Sequence, residues 1–139
     1  MKTLLTEQVT SRGGRSGTIA SADGKFTANL VRAKALGGRD GAGTNPEQLF
    51  GAGYSACFLS SIAFVAEQRK IVISPETTVS ATVDLGVRED GGFAIVVALD
   101  VTVPDLDRAT IESLVAAADH ICPYSHAIRG NVPVTISIA

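Results

Sequence analysis

From Leu49 to Val65 the chain runs without a single charge, apolar or small at almost every position. Strong helix signals bound the run. Asn45 is a good N-cap, Pro46 suits the first helical position, and Glu47 puts a negative charge in the first turn. Gln68-Arg69-Lys70 brings positive charge to the other end. The spacing predicts a helix over roughly 45–70. A helix apolar nearly all round has to be covered on most of its circumference. One sheet in a chain of 139 residues gives too little cover. The run therefore also predicts a homodimer, with a second copy sealing the helix.

The flanking segments read as an α+β fold. Residues 2–11 and 17–32 alternate as strands, broken at Gly13-Gly14 and turned at Ala22-Asp23-Gly24. Residues 36–44 form a glycine-rich surface loop. Strands at 77–87 and 93–103 flank the hairpin signal Arg88-Glu89-Asp90-Gly91-Gly92. A second helix over 106–121 presents Leu106, Ile111, Leu114, Val115, Ala118 and Ile121 as a stripe. Pro123 disfavours helix at Cys122, and residues 132–138 close the chain as a strand. The order β-β-β-α-β-β-α-β implies a mainly antiparallel sheet packed on a buried central helix. No repeat or linker divides residues 1–139, so one domain is expected.

Composition removes several classes of function. A net charge of −2 and a pI near 5.6 leave no electrostatic footprint for nucleic acid. With 5% aromatics and no tryptophan, a base-stacking surface is not expected either. The first residues lack the apolar stretch of a signal peptide, and no run is expected to reach membrane-span length. The sequence thus predicts a cytoplasmic protein with no nucleic-acid or membrane partner.

The chemistry lies in two cysteines, Cys57 and Cys122, too few for a disulfide framework and without a CxxC spacing. In a reducing compartment such thiols are catalytic, redox-active or simply buried. Cys57 fits a small core hydrophobe or a nucleophile. The second role needs a positive partner, because burial alone raises a thiol's pKa, and arginine would serve. Cys122 fits a packed helix end, or a second thiol that closes on the first if its loop lets it approach. Spacing leaves both choices open. His120, Cys122 and His126 cluster in sequence, but paired CxxC or His-Glu-x-x-His spacing is missing, so no metal site is expected. The loop Gly38-Arg39-Asp40-Gly41-Ala42-Gly43-Thr44 lacks the lysine of a phosphate cradle. No Ser-His-Asp set can be assembled from spacing.

Three motifs carry a resemblance. The segment Thr44-Asn45-Pro46-Glu47-Gln48-Leu49-Phe50-Gly51-Ala52-Gly53-Tyr54-Ser55-Ala56-Cys57-Phe58 resembles the signature of the organic hydroperoxide resistance (Ohr) branch of the Ohr/OsmC family. Cys122-Pro123-Tyr124-Ser125 with Arg129-Gly130-Asn131 resembles its second motif, and Gly13-Gly14-Arg15-Ser16-Gly17 its third. The match spans nearly the whole chain. Departures are Gly51 where alanine is common, His126 where asparagine is common, and Ile128 where threonine is common.

The resemblance implies an intertwined homodimer of OsmC-like fold that reduces organic hydroperoxides to alcohols. By position, Cys57 is the peroxide-attacking thiol and Cys122 the resolving one. Arg15 stabilises the Cys57 thiolate and Glu47 holds Arg15. The external reductant is a dihydrolipoyl-type dithiol, from a lipoylated protein or a dihydrolipoamide system, with no bound cofactor. The apolar neighbours Phe50, Tyr54, Phe58 and Leu59 are expected to line a pocket for alkyl or fatty-acid hydroperoxides. Glu47 and Cys57 pose a constraint, since ten helical residues rise about 15 Å. Either Gly51 and Gly53 break the helix, or one site draws on different subunits or elements. Two rival readings are an OsmC-type relative with another peroxide preference and a non-catalytic module binding an apolar ligand.

Overall fold

In the computed structural model, which describes residues 1–139, the chain forms two units, Met1–Leu49 and Phe50–Ala139. The first is a three-stranded antiparallel meander of β1 (Val9–Arg12), β2 (Thr18–Ser21) and β3 (Thr27–Asn29). Its register runs from Val9 opposite Ser21 to Arg12 opposite Thr18, then from Thr18 opposite Asn29. The expected strand over 2–11 shortens because β2 offers four residues to pair with, all of them taken by Val9–Arg12. Leu4 and Leu5 are left exposed. A tight 3-10 turn, Gly14–Ser16, joins β1 to β2, and a second, Lys34–Leu36, follows β3. The glycine-rich loop is tied back where Thr44 bridges Leu30.

The second unit is built around β5 (Phe93–Thr102). It pairs antiparallel with β4 (Thr78–Val87) along its whole length and parallel with β6 (Val134–Ile138). The parallel pair needs a crossover, supplied by α2 (Arg108–Ile121) and α3 (Pro123–Ile128). Strand alternation then builds the core. Val97, Leu99 and Val101 of β5 are buried. In register with them, Val83, Ala81 and Val79 flank on β4 and Val134, Ile136 and Ile138 on β6. Tyr54, Phe58 and Ile62 of α1 (Pro46–Gln68) and Ile111, Val115 and Ala118 of α2 close over that face.

One expectation needs correction, that no run reaches membrane-span length. Within one chain α1 is buried along one face, through Gly51, Tyr54, Phe58, Ser61, Ile62, Val65 and Ala66. Ala52, Ala56, Ser60, Ala63 and Phe64 are left exposed. The helix is also long and apolar enough to cross a membrane by length and composition, contrary to the sequence reading. The structure instead uses its inward face as core. Pro123 both ends α2 and starts α3, because a proline tolerated in a first turn blocks helix at the residue before it. The sequence indicated the stop and not the restart.

Candidate active site

Arg15 sits in the Gly14–Ser16 turn of the first unit. Gly13 has φ 78°, and a Cβ on Gly17 would overlap the Arg12 carbonyl oxygen. These glycines let the chain double back with a long cation at its tip. Glu47 is in the first turn of α1, which is capped as expected: Gln48 N–H donates to Asn45 Oδ1 at 2.8 Å. The structure brings Arg15 and Glu47 together as a two-pronged ion pair, Nη1 to Oε2 at 2.8 Å and Nη2 to Oε1 at 2.6 Å. The Arg15 hydrogen bonds hold the Glu47 carboxyl below its usual range, and Glu47 in turn raises the guanidinium. The arginine therefore stays charged and aimed.

In the second unit the two thiols meet. Cys57 is half-buried on α1, and Cys122 is buried at the corner between α2 and α3. Their sulfurs lie 3.7 Å apart, with the Cys122 thiol donating to the Cys57 sulfur. A loop movement was expected to bring them together; the Pro123 corner already does so. Burial pushes the Cys57 thiol up most, the Tyr124 backbone N–H pulls it down, and the neighbouring Cys122 adds to the rise. Nothing cationic in this set favours the thiolate.

Helices α1 and α3 carry an aromatic cluster, joined to the pair by the Tyr124 backbone N–H at Cys57. Tyr124 stacks on Tyr54 at 5.9 Å and meets Phe50 edge-on at 6.1 Å. Phe50 in turn meets Tyr54 edge-on at 6.0 Å. Of the residues expected to line a pocket, Phe50 is half-buried here, whereas Tyr54 and Phe58 have no exposed surface. Those two are core residues in this chain, because they point at the sheet. Leu59 is turned roughly 200° around the helix from Cys57, onto another face. His120 and His126 are exposed while Cys122 is buried, so the three do not converge.

Tyr124 and Ser125 stood in a recognised motif without a role of their own. The Tyr54 and Ser125 hydroxyls share a buried hydrogen bond of 2.8 Å, and Tyr124 lies over Gly53. The signal was Gly53 itself, since a glycine inside a helix is costly without a packing reason.

The OsmC-like protein family model matches residues 38–137. The chain belongs to the OsmC-like family. It is 45% identical to the organic hydroperoxide resistance protein of Xanthomonas axonopodis pv. citri, over 99% of this chain and 96% of that one. It is 47% identical to organic hydroperoxide resistance protein OhrB of Bacillus subtilis, over 97% and 98%. The crystal structure of an organic hydroperoxide resistance protein from Legionella pneumophila superposes with TM-score 0.93 at 42% identity, covering 99% of each chain. These likenesses put the chain in the organic hydroperoxide resistance branch.

Proposed function

We propose that this protein confers organic hydroperoxide resistance as a cysteine-based thiol peroxidase. The observation that carries the reading is the thiol pair, 3.7 Å apart with Cys122 donating to Cys57. The Cys57 thiolate attacks the outer peroxide oxygen, the O–O bond breaks, and the alkoxide leaves and takes a proton as alcohol. Cys57 is then a sulfenic acid. Cys122 attacks its sulfur, water leaves, and a Cys57–Cys122 disulfide protects the nucleophile. A dihydrolipoyl-type dithiol restores both thiols and is itself oxidised to its cyclic disulfide. The apolar cluster that Cys57 and half-buried Phe50 pack against favours alkyl or fatty-acid hydroperoxides, since burying a chain contributes about 0.8 kcal/mol per methylene. A cytoplasmic setting fits two reduced thiols.

Thiolate formation calls for Arg15, and helix geometry supports its supply from a second copy. α1 is unbroken from Pro46 to Gln68, so neither Gly51 nor Gly53 interrupts it. Ten residues of such a helix rise about 15 Å, too far for Glu47 and Cys57 of one chain to share a small peroxide. We therefore infer a homodimer in which the Arg15–Glu47 pair of one copy serves Cys57 of the other. The exposed residues of α1 from Ala52 to Phe64 carry no charge, which supports a second copy.

The test mixes reduced protein with cumene hydroperoxide, a fatty-acid hydroperoxide or hydrogen peroxide and titrates free thiols over time. Both thiols should disappear quickly with the organic peroxides and much more slowly with hydrogen peroxide. Cys57→Ser should be inert, and Cys122→Ser should complete one turnover before over-oxidation. Persistence of both thiols would sink the peroxidase reading, and equal rates would sink the substrate preference.

A further inference from the structure

Cys122 occupies a corner that its own helices define only in part. Its N–H donates to the Ala118 carbonyl at 2.8 Å, and its carbonyl accepts from His126 N–H at 2.9 Å. Beyond it α3 has six residues, too few to hold a helix without tertiary support. Arg129 closes the far end, its Nη2 donating to the Asp119 carbonyl at 2.8 Å. What joins this arm to α1, and so to Cys57, is a compact set of contacts. Tyr54 Oη and Ser125 Oγ lie 2.8 Å apart, with the two residues 0% and 3% exposed. The Tyr54 and Tyr124 rings stack with an interplanar angle of 17°. A Cβ on Gly53 would come 2.5 Å from Tyr124 Oη, so the arm approaches α1 as closely as a glycine permits. Tyr54 and Gly53 precede Cys57 by three and four residues, placing them on its face of the helix.

We propose that Tyr54 and Ser125 are positioning residues for the resolving step: their buried bond pins the Cys122 arm so that its thiol stands at the Cys57 sulfur. This rests on the peroxidase reading. Once Cys57 is a sulfenic acid, two fates compete. Attack by the Cys122 sulfur forms the S–S bond and breaks the S–O bond, and the hydroxyl leaves with the Cys122 proton as water. Attack by the sulfenate on a second hydroperoxide breaks that O–O bond, yields a sulfinic acid and releases a second alcohol. The pin sets the first rate and leaves the second alone. A displacement of about 1 Å at a reacting centre can cost on the order of 100-fold. A loosened arm therefore shifts the outcome toward sulfinic acid.

The experiment treats reduced wild type, Tyr54→Phe, Ser125→Ala and the double variant with graded cumene hydroperoxide. Mass spectrometry then reads the ratio of sulfinic acid to disulfide at Cys57. That ratio reports the resolving step whatever the speed of the first attack. Each single variant should raise the sulfinic share roughly ten-fold or more, and the double no further, because the two hydroxyls act as one bond. A glutathione redox titration reads the same pin without peroxide, and the variants should need a more oxidising buffer to close the disulfide. Wild-type thiols inert to peroxide, with shifted glutathione midpoints in the variants, would remove the peroxidase reading and keep the pin. Unchanged sulfinic shares with unchanged glutathione midpoints would overturn the pin, as would additive effects in the double variant.

Discussion

The two units divide the chemistry between them. Residues 1–49 hold a formed ion pair, Arg15 with Glu47, on a short meander whose turns are set by glycine. Residues 50–139 hold both thiols in an apolar core, where burial raises the pKa of Cys57 and no cation offsets it. One unit has a paired arginine without a nucleophile, and the other a nucleophile with no cation among the groups that shift it. On the proposed reading, a half-buried cysteine whose pKa is raised by burial stays quiet until a second copy supplies the arginine.

The largest expected effect falls on reactivity alone. Arg15→Ala should slow peroxide reduction by about 10²–10³-fold, in line with losing one charged donor at a reacting centre. It should also move the pH profile of Cys57 alkylation to higher pH, with the urea midpoint nearly unchanged. An unmoved profile would break the division of roles. Leu99→Ala makes the opposite cut. Leu99 is 0% exposed between Ala81 and Ile136, so its loss should cost about 2–5 kcal/mol in urea unfolding.

Smaller effects sharpen the contrast. The folded-state pKa of Glu47 is depressed, so its contribution to stability is present above the unfolded carboxyl pKa and lost as pH falls through the folded value. The Arg15 side chain is 35% exposed, which limits that contribution to about 1 kcal/mol or less. Urea midpoints measured from neutral to acid pH should fall slightly further in wild type than in Glu47→Gln, which keeps the other hydrogen-bonded carboxylates Asp23, Asp90 and Asp107. The two mid-helix glycines should part company. A Cβ on Gly51 meets Val83 and Ala81 at 3.4 Å and beyond, so Gly51→Ala should stabilise the protein by about 0.5–1 kcal/mol. Gly53→Ala must displace Tyr124 and should lose that gain, as thermal unfolding of the pair would read.

Much of this was legible in the sequence. The N-cap at Asn45, the hairpin before Phe93 and the helix stop before Pro123 follow from local chemistry, and local chemistry is what a sequence shows directly. The pairing of Arg15 with Glu47 came through a motif resemblance, since thirty-two positions separate them. What stayed hidden depends on neighbours brought in by the fold. Tyr54 and Phe58 looked like pocket walls because apolar residues beside a thiol read alike until the sheet shows which way they point. The closeness of Cys122 to Cys57 came only through the resemblance: Pro123 opens a second helix, and only the packing of that helix on α1 sets where the thiol goes.

The claim that each site draws on two copies can be tested by complementation. Arg15→Ala and Cys57→Ser, each unable to turn over cumene hydroperoxide at an appreciable rate, are unfolded together, refolded as a mixture and assayed with a dithiol reductant. A site shared between copies restores one working site in each mixed dimer, so activity should recover to about a quarter of wild type in a two-fold symmetric dimer. A mixture no more active than its separate components would contradict the account, because it would mean that each Cys57 depends on the Arg15 of its own chain.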